Sequence, residues 1–162
     1  MRKLMILAAV FGACFIYACG GGDNNAADSS QQSKDESSTS SGEANPDYDP
    51  ERGTGKFTHV EVPDKLDPAM AAAGEKVYSV KCAACHKLTA EKLVGPGWQD
   101  VTKRHKPEWI MNFVTNPDEM IDKDPKAQAM LEICMVRMPN QNISDDEARN
   151  LYEFMRSNDG VK

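Results

Sequence analysis

Apolar positions in the second half of this chain recur three and four apart in short groups, and the groups are separated by Pro, Gly and Asn. Asp67-Pro68 offers an N-cap with a proline at the first helical position, so Ala69 to about Lys81 reads as a helix that delivers Cys82. A loop follows through Gly95-Pro96-Gly97-Trp98. A second helix is expected from Pro107 to Thr115, stopped near Asn116-Pro117, and after the charged loop Asp122-Lys123-Asp124 a third covers about Pro125 to Val136. Met138-Pro139-Asn140-Gln141 breaks the pattern. Ser144 with Glu147 three residues on then forms a capping box for a last helix that runs to about Ser157. No strand alternation, repeat or βαβ pattern occurs, so the expected class is all-α, with four to five helices.

The start of the chain reads differently. Met1-Arg2-Lys3 followed by Leu4 to Ala18 is a basic segment and then an apolar run of signal-peptide length, too short to span a bilayer as a helix. Ile16-Tyr17-Ala18-Cys19 resembles the lipobox of bacterial lipoproteins, which places cleavage before Cys19 and makes Cys19 the lipidated residue. Cys14 is the rival, but it lies inside the apolar run, whereas Cys19 is followed by Gly20-Gly21-Gly22-Asp23. An uncleaved short anchor leaves the compartment unchanged. From residue 19 to about 55 the chain is Gly, Ser, Asn, Asp, Gln and Glu with almost no large apolar residue before Tyr48, a composition that cannot bury enough surface to fold. This is expected to be an acidic tether reaching roughly 35 Å, and the folded domain is expected to occupy residues 56–162.

Charge adds little beyond that division. The net charge of −6 arises in the tether, where eight acidic residues face only Lys34 and Arg52. The domain itself is nearly balanced, and no basic stripe points to nucleic acid.

The chemistry lies in Cys82-Ala83-Ala84-Cys85-His86. Two thiols three apart can each add across a haem vinyl group while the adjacent imidazole reaches the iron from the same side. A structural zinc site would need a second ligand pair, and only Cys134, His59 and His105 remain, far apart in sequence. A redox dithiol would need a βαβ context that is absent. The five cysteines therefore have separate destinations: Cys14 with the signal, Cys19 lipid, Cys82 and Cys85 haem c, and Cys134 buried in the apolar stretch Leu131 to Val136.

What sits on the other face of a His-ligated iron decides between electron transfer and ligand binding. Of nine methionines most must be core filler. Met138 stands apart because it follows a helix end, precedes Pro139 and lies in a loop, where a thioether can approach the iron; Met135 and Met120 are its competitors.

With these residues in place, the chain resembles class I c-type cytochromes over Asp67 to Ser157. The resemblance implies one covalent haem with His86 and Met138 as axial iron ligands. It implies that Gly74 and Tyr78 on the first helix meet Leu151 and Phe154 on the last, and that the Pro96 carbonyl accepts a hydrogen bond from His86. Candidates for cradling the haem propionates are Trp98, Trp109, Lys103 and Arg104. Lys81, Lys87, Lys92, Lys103 and Lys106 surround the motif in sequence and are candidates for steering an acidic partner. The chain is also similar to small lipoprotein cytochromes that accompany periplasmic terminal reductases, nitrous oxide reductase in particular. The expectation is thus a monomeric, exported, lipid-anchored, periplasm-facing electron carrier that meets redox protein partners and does not act as an enzyme. A haem sensor or peroxidase-like protein with an open or displaceable sixth ligand is the competing expectation.

Overall fold

The computed structural model describes residues 48–162; the expected signal peptide, Cys19 and most of the expected tether lie outside the described residues. Six helices follow one another, α1 (Pro68–Lys81), α2 (Val101–Arg104), α3 (Pro107–Thr115), α4 (Pro117–Lys123), α5 (Pro125–Cys134) and α6 (Asp145–Asn158), and no strand occurs among the described residues beyond two isolated bridges. The domain is all-α, as its spacing of apolar positions predicts.

Proline sets most of the boundaries. α1, α3, α4 and α5 each carry it in their first turn, where its fixed φ suits the helix and its missing N–H has no partner to lose. Asn116-Pro117 ends α3 but also begins α4, because the Asn116 side chain accepts from the Glu119 amide and caps the new helix. The charged loop expected before the third helix is therefore the end of α4 and the cap of α5: Asp124 accepts from the Ala127 amide at 2.9 Å. α5 stops at Cys134, two residues short of Val136, since Met135 turns into the left-handed region at φ 60°. The single-turn α2 has no apolar period long enough to be seen in sequence.

The main packing is α1 against α6. α1 starts as expected, with the Asp67 carboxylate accepting from the Ala69 and Met70 amides at 2.9 and 3.0 Å. α6 starts on the reciprocal Ser144–Glu147 capping box. Where the two cross, Gly74 lies on the backbone of Asn150: a Cβ there would come within 2.6 Å of the Asn150 carbonyl carbon and 2.8 Å of Phe154 Cβ. Tyr78, one turn on, packs its ring 5.3 Å from Phe154 and 5.0 Å from Trp98. Leu151 is buried beside them in the core.

The opposite side is held by polar groups. Residues 48–66 run as an irregular strap over α3, α5 and α6, and buried side chains supply its hydrogen bonds. Asn112 accepts from the Phe57 amide (2.8 Å) and donates to the Arg52 and Phe57 carbonyls (3.1 and 3.0 Å). Glu108 accepts from the Val60 amide (2.7 Å). Arg156 donates to the Pro63 and Asp64 carbonyls (2.7 and 2.9 Å), and Glu153 accepts from the Asp67 amide (2.9 Å). The strap begins at Tyr48, whose hydroxyl donates to the fully buried Asp124 at 2.7 Å, and Gly53 at φ 69° packs against Met120 and Trp109. Residues 48–55, which the sequence reading places in the tether, are among the described residues and pack against the domain. They are polar in composition, but the Asp124 carboxylate and Met120 sulfur accept from them and Asn112 and Lys126 donate to them.

Candidate functional site

α1 ends where the chemistry begins. Cys82 is its C-cap, and the Cys85 and His86 amides both donate to the Cys82 carbonyl at 3.0 Å, a tight turn that gathers the two thiols and the imidazole. The loop then folds back: the Gly95 amide donates to the Cys85 carbonyl (2.9 Å), and the Trp98 amide to that of Lys87 (2.8 Å). Tyr78, from the helix crossing, donates its hydroxyl to the His86 carbonyl at 2.8 Å.

His86 is held through its ring as well. Its Nδ1 lies 2.9 Å from the Pro96 carbonyl, which can only accept, so Nδ1 carries the proton and Nε2 keeps its lone pair for a metal. Burial lowers the His86 pKa and the Pro96 bond opposes that, a balance that favours the neutral, ligating form. Gly95 is required here because a Cβ would run into the imidazole, within 2.8 Å of both ring nitrogens. Cys82, Cys85 and Cys134 are free thiols, and burial pushes that of Cys82 up to about 11, with Lys81 pulling it down and Cys85 adding to the rise.

Two adjoining cavities open beside this turn, of about 590 and 820 Å³. They share His86, Pro96, Phe113, Met130 and Met138. The first continues past Cys85, Val94, Leu131, Cys134 and Pro139; the second past Trp98, Arg104, His105, Trp109 and Met155. Together they make one apolar slot, with an imidazole and a loop methionine lining both parts and free thiols in the first. The site fits a haem: the slot is apolar, the thiols are unpaired, and the buried Nδ1 of His105 in the second cavity is an orphaned polar atom.

The structure separates the methionines that compete in sequence. Met135 is 86% exposed and lines neither cavity. Met120 is fully buried outside the slot, its sulfur accepting from the Thr54 amide at 3.2 Å. Met130 and Met155, both read as core filler, line the slot with Met138. Cys134 is partly exposed and lines the first cavity instead of being buried, because α5 ends there.

Of the propionate candidates, Trp109 donates its Nε1 to Asp124 (3.1 Å), and Lys103 pairs with Asp100 (2.6 Å), while Trp98 and Arg104 line the second cavity. The expected steering lysines are likewise engaged within the molecule: Lys81 with Glu147 (2.9 Å), Lys87 with Glu91 (2.8 Å), Lys106 with Glu51 (3.8 Å), and Lys92 with the Ile133 carbonyl (3.0 Å). The rim of the first cavity carries exposed Val94 and Val136 beside Arg137. His105 is the residue that sequence reasoning passed over, since nothing local marks it. The other leftover histidine, His59, is exposed.

The cytochrome c family profile matches residues 71–159. Among solved structures, cytochrome c from Rhodothermus marinus aligns with a TM-score of 0.63 at 33% identity, covering 65% of this chain and 90% of that one. An engineered cytochrome c from the same organism, Rma TDE, aligns with a TM-score of 0.65 at 32% identity over 68% of this chain and 98% of that one. No curated protein matches. A profile covering more than half the chain, a related solved structure, and a Cys82–Cys85–His86 turn beside an apolar slot establish that this chain belongs to the cytochrome c family, haem-based electron carriers with covalently bound haem c.

Proposed function

We propose that this chain is a membrane-anchored, single-haem electron carrier in which His86 and Met138 take the two axial positions. The observation that carries the axial assignment is that both residues line both cavities, while Met135 and Met120 line neither. Haem, when bound, supplies one-electron Fe(III)/Fe(II) cycling, and thioether ligation with burial favours the reduced state. Cys82 and Cys85 hold it by thioether bonds, each thiol adding its sulfur to one vinyl carbon and its hydrogen to the other. Pro96 fixes the His86 tautomer and makes it a more basic ligand. Filling both axial positions leaves no place for a substrate.

Electrons pass at the rim of the first cavity, where Cys85 meets exposed Val94 and Val136. A small apolar docking patch suits brief encounters. The lipobox-like run before Cys19 supports export and a lipid anchor facing the periplasm. The partner proposed is a periplasmic or membrane redox protein, with nitrous oxide reductase as the first to try, and the carrier acts as a monomer.

The test is the absorption spectrum of the oxidised holoprotein, where a weak red charge-transfer band marks sulfur on iron. Met138→Ala should abolish it, and Met135→Ala and Met120→Ala should keep it. Survival of the band in Met138→Ala with loss in Met130→Ala would move the ligand to α5, and ready carbon monoxide binding by the reduced wild type would favour the sensor reading.

A further inference from the structure

Among the described residues a single buried side-chain nitrogen or oxygen lacks a hydrogen-bond partner, Nδ1 of His105. It belongs to a residue at the C-cap of α2 that lines the second cavity. The ring is fixed, stacked on Trp109 with centroids 4.0 Å apart and planes within 16°. A buried polar atom without a partner forfeits its hydration with nothing in return, so in the loaded protein something is expected to meet it.

The surroundings say what that something is. The charges that bear on His105 are Arg104 from α2, Lys126 from α5 and Asp124 before α5. Asp124 is already saturated by the Tyr48 hydroxyl, the Trp109 indole and the Ala127 amide. Neither cation holds a carboxylate: Arg104 donates to the Gly97 carbonyl (3.1 Å) and Lys126 to that of Pro50 (2.6 Å). Arg104 on the cavity wall, Lys126 near the ring and an unpartnered ring nitrogen in an otherwise apolar cavity call for a carboxylate. Burial first, then Arg104 and Lys126, push His105 down to about 4 against the opposing pull of Asp124, so the ring is neutral and carries one proton, which a carboxylate facing Nδ1 would draw to that nitrogen.

We infer that His105 Nδ1 donates a hydrogen bond to one propionate of the bound haem, with Arg104 as the neighbouring cation, so that the second cavity is the propionate end of the slot. The inference rests on haem filling the slot with His86 on the iron, which the spectrum of the holoprotein tests separately. His105 is here a positioning residue: it holds the carboxylate ionised and fixes how the ring sits.

The experiment is the reduction potential of the holoprotein against pH, in which ionisation of the propionate appears as an inflection. His105→Phe keeps the stacking on Trp109 and removes the donor; His105→Asn restores an N–H near the position of Nδ1. In His105→Phe the inflection should move up by about one pH unit, tenfold in the acid constant, for the loss of one charge-assisted hydrogen bond. His105→Asn should return it to the wild-type position. Superimposable curves for all three proteins overturn the inference, and so does an equal shift in both variants, which would assign the effect to lost packing.

Discussion

The two walls of the slot are built to different standards. The His86 wall is tied at every level: the turn closes on the Cys82 carbonyl, Gly95 bonds Cys85, Tyr78 bonds His86 and Pro96 holds the imidazole. The Met138 wall is a loop between α5 and α6 that enters through Met135 at φ 60° and leaves after Asn142 at φ 52°. Two of its side-chain hydrogen bonds are internal, Asn142 to Asn140 at 2.8 Å and Gln141 to Pro139 at 3.5 Å, and the ties to the rest of the fold come from one exposed side chain, Arg137, which donates to Asp118 and Asp122 on α4. Segments with few buried contacts open at low free energy. The His86 side of the slot is thus rigid and the Met138 side soft.

The largest effect should come from attacking the rigid wall by overpacking. Gly95→Ala drives a methyl into the imidazole and should cost about 3 kcal/mol, read by denaturant unfolding, together with poor haem retention. Tyr78→Phe removes only the bond to the His86 carbonyl and should cost about 1 kcal/mol while the spectrum stays that of the wild type.

Smaller again is the tie that joins the walls, Lys81 beside Cys82 with Glu147 in the cap of α6. The Lys81 hydrogen bond, then the Ser144 amide, hold the Glu147 carboxyl below its ordinary range against a small burial cost. A depressed carboxylate stabilises the fold above its unfolded pKa and ceases to as pH falls through the folded one. Glu147→Gln should therefore lose about 0.5 kcal/mol at neutral pH, part-exposure having screened the pair, and its stability should fall less steeply than the wild type's on the acid side. Arg137→Ala should leave stability unchanged within error, yet by loosening the soft wall it should let added imidazole compete with Met138 at a few-fold lower concentration. Equal resistance to imidazole in the two proteins would remove the contrast between the walls.

The rigid wall is also the legible one. Its contacts are close in sequence, so Cys82, Cys85, His86 and Pro96 announce themselves, and the Gly74–Tyr78 pair and the Ser144–Glu147 box carry their own packing and capping reasons. Met138 is legible as the methionine a helix cannot use. What stayed hidden depends on partners far along the chain. Residues 48–55 look unfoldable until Asp124 and Asn112 are set beside them. α4 was masked because the same Asn-Pro that ends one helix caps the next. Met130 and His105 acquire meaning only from the cavities they line, which a local reading of periodicity cannot show.

The internally paired lysines have a consequence for ionic strength. A carrier that draws its partner by an open field of charge meets it more slowly as salt shortens the Debye length, which is already about 8 Å in physiological saline. Here Lys81, Lys87 and Lys106 close on carboxylates of their own molecule, and the exposed side chains at the rim of the first cavity include Val94 and Val136. Salt then has little long-range attraction to screen, and turnover with the physiological partner should stay nearly level from dilute buffer to brine.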